Sequence, residues 1–77
     1  MRQAFRDIAQ RIETAETKFV AYVVEQTGMT TREAEHVLRV FKKCRVIKID
    51  AVMGQWDIKH GAYLDVEVMR RAAKTEL

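Results

Sequence analysis

The chain has no proline, one cysteine and three glycines in 77 residues. Each shortage excludes something. Without proline nothing forces a kink, so glycine is left to punctuate the backbone. With Cys44 alone there is no internal disulfide and no Cys/His set for a structural zinc, and hydrophobic packing has to hold the fold. A half-buried packing role is the expectation for that thiol. No apolar run approaches the roughly 20 residues a bilayer-spanning helix needs. The opening MRQAFRDIAQRIE carries acids and no hydrophobic block of the signal-peptide kind, so the expectation is a cytoplasmic protein with no membrane partner. There is no Gly-rich phosphate loop, no nucleophile elbow and no hydrolase-like carboxylate cluster. His36 and His60 lack the spacing of a metal site or a catalytic triad. A non-enzyme is expected, with no catalytic residue, no metal, no cofactor and no small-molecule substrate.

What is present is a hydrophobic fraction of 48% beside 32% charged residues, the balance of a folded domain rather than a disordered chain. Its length fits one domain over residues 1–77, with a small core. A net charge of +3 leans toward anionic partners, but modestly, so the placement of the charges has to decide.

The glycines Gly28, Gly54 and Gly61 divide the chain into four parts. From Arg2 to Gln26, Phe5, Ile8, Ile12, Ala15, Phe19 and Tyr22 recur at steps of three and four, the spacing of one helix face. The stripe is narrow in the first half, whereas FVAYVV (Phe19 to Val24) is apolar nearly all round and is expected to be buried. Either one long helix runs through, or it breaks near TAET with Thr14 or Thr17 as a new cap. The break is the expectation, because a three-helix arrangement before the hairpin needs it.

Gly28 stands where a helix ending near Gln26 wants positive φ. Thr30 and Glu33 form a capping box, with Met29 and Ala34 placed as a hydrophobic staple. Behind them Ala34, Val37, Leu38 and Phe41 make one face of a helix over about Thr31 to Lys43. The period then changes: Val46, Ile47 and Ile49 read as a strand, AVMG as a short turn, and Trp56 and Ile58 as a returning strand. Trp56 falls on the inner face of this hairpin, which must lie on the helices to be stable. Asp65 caps a last helix, with Val66, Met69 and Ala73 on one face and Val68 and Ala72 beside it. That helix packs either on the core or on a second subunit. Arg70, Arg71 and Lys74 sit in its final turns, at the negative end of its dipole.

The fold class is therefore α+β, a small domain of three or four helices with a two-stranded antiparallel hairpin. The segments TGMTTREAEHVLRVFKKCRVIKI and GQWDIKH, within Thr27 to Lys59, resemble the turn, second helix and strands of the winged helix-turn-helix superfamily. Arg45, with Cys44 before it, stands where such regulators often have glycine, and the wing tip is not basic. The resemblance implies that the Thr31 to Lys43 helix is the one that enters a DNA major groove. On it Arg32, His36, Arg39 and Lys43 fall within roughly 60° of one another, opposite the apolar face and uninterrupted by a carboxylate. Glu35 is spaced to pair with Arg39.

Two functions follow as expectations. The first is a small regulatory or accessory protein that binds nucleic acid, in particular double-stranded DNA. Arg32, Arg39 and Lys43 would be the main contacts, and His36, Lys48 and Lys59 lesser ones. A homodimer would pair through Phe5, Ile8 and Ile12 or through the last helix. The second is a protein-interaction module, for example of a phage or mobile element, that uses the N-terminal helix and the apolar hairpin tip of Val52 and Met53.

Overall fold

The computed structural model describes the backbone of residues 2–77 and the side chains of residues 6–77. The element order is α1 (Arg2–Thr27), α2 (Thr31–Lys43), β1 (Ile47–Asp50), β2 (Gln55–Ile58) and α3 (Val66–Lys74). The architecture is α+β: three helices around one core, with a single antiparallel hairpin.

The expected break in the first helix is not there. The 26 residues of α1 form one uninterrupted helix, about 39 Å long at 1.5 Å per residue, and it sets the 42 Å long axis of the molecule. The hydroxyl of Thr14 donates back to the Gln10 carbonyl at 2.8 Å, so it serves the helix it belongs to instead of capping a new one. Ala15, next to it, is fully buried, which holds the TAET segment against the rest of the domain. Among the described residues the helix count is therefore three and not four. FVAYVV is covered less completely than expected: Phe19 and Val23 are buried, Val20, Tyr22 and Val24 partly so, and Ala21 is exposed.

The helix ends follow from local chemistry. At the end of α1, Gly28 takes φ +73° and its N–H donates to the Val24 carbonyl at 2.8 Å. This is the left-handed cap that only glycine adopts without steric cost. At the start of α2, the Glu33 N–H donates to Thr30 Oγ1 and the Thr30 N–H to Glu33 Oε1, each at 3.2 Å, completing the capping box. Met29 packs against the core cluster that includes buried Ala34. At the other end, the Val46 N–H bonds to the Phe41 carbonyl (2.9 Å) and the Arg45 N–H to the Lys42 carbonyl (3.2 Å). That pair is a Schellman motif. Its left-handed position is filled by Arg45, at φ +57°, and Cys44 in the cap is exposed rather than half-buried. For α3 the cap is Asp65, whose Oδ1 accepts from the Val68 N–H at 2.8 Å.

The hairpin pairs Ile47 with Ile58, Lys48 with Asp57, Ile49 with Trp56 and Asp50 with Gln55. Asp50 builds the turn by accepting from the Val52 and Met53 N–H groups at 2.9 and 3.1 Å. Gly54 closes it with a bond to the Asp50 carbonyl and φ +64°. The apolar face of the hairpin lies on α1. Phe19 is the hub of the packing: Trp56 meets it edge-on at 5.0 Å between ring centroids, and Phe41 meets it at 5.7 Å from the other side. Tyr22 packs on Trp56 at 5.2 Å. The tip itself folds back onto the long helix, where buried Gly54 sits against the backbone of Arg11.

The last helix closes the core and is not left for a second subunit. Met69 and Ala72 are buried, and α3 lies chiefly against α2. Val40, outside the expected apolar face of α2, is buried in the same core.

Candidate nucleic-acid interface

Three sectors of α2 have different surroundings. Ala34, Val37, Leu38, Val40 and Phe41 face the core. Toward α1, Lys42 forms an ion pair with Glu16 at 3.4 Å. Outward lies a narrow strip, within roughly 40° on a helical projection, that carries Arg39, Arg32 and Lys43. All three are exposed. The described residues contain two ion pairs, Lys42 with Glu16 and Arg71 with Glu67, and neither involves this strip. The expected pairing of Glu35 with Arg39 is not formed.

His36 departs from its neighbours. It is only half-exposed, and its Nε2 donates to the main-chain carbonyl of Thr75, just past the end of α3. That bond ties the terminus of α3 to the edge of the strip and gives the imidazole a structural partner. Thr75 in turn donates its hydroxyl to the Arg71 carbonyl at 2.9 Å.

The docking of α3 also brings in charges that the chain's linear order does not associate with α2. Arg70 and Lys74 line a shallow depression with Gly28, Met29 and Glu33, at the corner between α1 and α2. Two more exposed cations therefore stand at this corner, beside the Glu33 carboxylate. Position along the helix gave these residues a dipole role only; the surplus apolar face of the last helix was the signal that it must dock somewhere.

On the hairpin, Lys48 and Lys59 are exposed, and Lys48 lies directly across from Asp57. The Asp57 carboxylate accepts from the Ile58 N–H at 2.7 Å and forms no ion pair with Lys48 among the described residues. Trp56 is held between Phe19 and Tyr22, so it is a packing residue and not a stacking platform.

The residues expected at a partner surface come together at the far end of α1. Contact between Gly54 and Arg11 brings the hairpin tip to the helix one turn from Ile8. Val52 is 73% exposed, Met53 64% and Ile8 43%, while Ile12 is half-buried. Phe5, expected in the same surface, lies outside the residues whose side chains are described. Separately, an open groove of about 370 Å³ runs between α1 and α2, lined by Ala9, Ile12, Val20 and Leu38 and by Glu13, Glu16 and Glu35.

No group of three or more potential metal ligands occurs among the described residues, and no helix there is long and apolar enough to cross a membrane. The chain matches no protein-family model, and neither curated proteins nor solved structures show significant similarity to it.

Proposed function

We propose that this domain binds double-stranded DNA as a small regulatory or accessory protein, with α2 as the element that enters the major groove and the hairpin in the place of a wing. The observation that carries the reading is the strip of Arg32, Arg39 and Lys43: three exposed cations on one helix face, unpaired among the described residues, while the ion-paired carboxylates Glu16 and Glu67 hold other partners. Ammonium and guanidinium groups so placed neutralise phosphates and release counterions, and arginine offers paired donors to guanine. DNA is the better fit because the wide major groove of B-form duplex admits a helix, whereas that of A-form RNA does not. Arg70 and Lys74 add two cations at the corner beside the start of α2, where Glu33 also stands. His36, held by Thr75, stiffens the edge of the strip and contributes less to contact than the other three.

The test is a titration against duplex DNA at several salt concentrations. Three phosphate contacts give a slope of log K against log salt of about −2.7, and the Arg39→Ala/Lys43→Ala variant should flatten it to about −0.9. Absence of binding at low salt, or a slope unchanged in the variant, refutes the reading.

A second reading, a protein-interaction module, is favoured by one observation: Ile8, Val52 and Met53 are exposed at the same end of the molecule. It predicts capture of a protein partner that Val52→Ser/Met53→Ser abolishes while DNA binding stays as it was. Capture undiminished in that variant removes this reading.

A further inference from the structure

We propose that two copies of this chain pair through the first halves of their α1 helices, antiparallel, each laying its first turns in the α1–α2 groove of the other. The inference does not depend on the DNA reading.

Because α1 is one rigid helix, its first turns extend beyond the end of α2, and part of their apolar side is left uncovered, with Ile8 exposed and Ile12 half-buried. The groove begins where that overhang ends. It has apolar walls of Ala9, Ile12, Val20 and Leu38, and its α1 side runs from Ala9 to Val20, about 16 Å along the helix axis. The turns before Ala9 are shorter, about 10 Å, so the projecting part of one copy fits within the recess of another.

Charge favours a second copy over other occupants. Three carboxylates, Glu13, Glu16 and Glu35, also line the groove, and only Glu16 has a cationic partner among the described residues. The overhang carries the opposite sign at Arg6, which is exposed and in no described ion pair. In an antiparallel pairing about a two-fold axis near residues 9–11, residue 6 of each helix faces residues 13 to 16 of the other. Arg6 of each copy then meets Glu13 and Glu16 of its counterpart, twice over by symmetry, and the small side chain of Ala9 near the axis lets the helices approach. A parallel pairing sets Arg6 against Arg6. The contact is isologous and closes at two copies, as most stable homo-oligomers do.

Sedimentation equilibrium of the purified chain, without nucleic acid, tests the proposal. The expected mass is twice the 9.0 kDa of one chain. Ala9→Glu, at an exposed position that leaves the core untouched, should return a single-chain mass with an unchanged circular dichroism spectrum. Arg6→Glu and Glu13→Arg should each weaken association about tenfold by placing like charges together, and the double variant should recover most of that loss. A single-chain mass for the native protein at millimolar concentration overturns the proposal. So does a dimer indifferent to Ala9→Glu, or one that the double reversal fails to restore, since either places the contact elsewhere.

Discussion

Among the described residues Arg45 is the non-glycine position held at positive φ, and substitution measures what that costs. It occupies the left-handed position of the Schellman motif at the end of α2, with φ +57°, where the Cβ of an L-residue crowds the adjacent carbonyl. That conformation costs about 1–2 kcal/mol in a residue other than glycine. Its side chain is exposed and makes no ion pair among the described residues, so little is lost by removing it. In Arg45→Gly the relief of strain is opposed by the greater freedom of glycine in the unfolded chain, about 0.5–1 kcal/mol. A net stabilisation of roughly 0.5–1 kcal/mol remains, which in a domain of this size raises Tm by about 2–8 °C. Arg45→Ala is the control: it deletes the side chain but keeps the Cβ, and should leave Tm nearly where it was. The assay is thermal unfolding by circular dichroism at fixed protein concentration and without nucleic acid, with urea titration as a check that the m-value is unchanged. If Arg45→Gly lowers Tm, or if alanine stabilises as much as glycine, the strain argument is wrong and the side chain itself is what matters at this position.

Two further substitutions probe the helices. Thr30→Ala removes the acceptor for the Glu33 N–H and should cost about 1 kcal/mol, seen as a lower urea midpoint, whereas Thr30→Ser should retain most of it. Thr14→Pro places proline in the middle of a continuous α1 and should cost about 3 kcal/mol or more, with loss of ellipticity at 222 nm. Near-native stability in that variant would mean that the helix is interrupted at TAET after all.

How much was legible in the chain itself depends on the range of the interaction. The box of Thr30 and Glu33, the Asp65 cap and the glycine at the end of α1 are decided within four residues, and all appear as expected. Continuity of α1 is not legible in the chain because a threonine can either cap a helix or bond back into it, and Thr14 bonds back to Gln10. The choice is settled by packing around Ala15 and Phe19 rather than by the threonine.

The candidate surface divides in the same way. Helical geometry alone placed Arg32, Arg39 and Lys43 on one face, because 100° per residue is a property of the backbone. It could not show that His36 would be engaged by Thr75, 39 residues away, or that Arg70 and Lys74 would stand beside the corner of α1 and α2. Those contacts depend on where α3 docks, and α3 docks chiefly against α2, its Met69 and Ala72 joining the core that holds Val37 and Val40. Nor could alternation in the hairpin show its tip folded onto Arg11, since that follows from the length of α1 and the fit of Trp56 against Phe19. The sequence by itself determined the elements, their caps and the sign of each face, through interactions that span a turn or two of chain. Which cations remain free and which apolar residues remain exposed was decided only by tertiary packing, because both depend on what covers a face and not on which face it is.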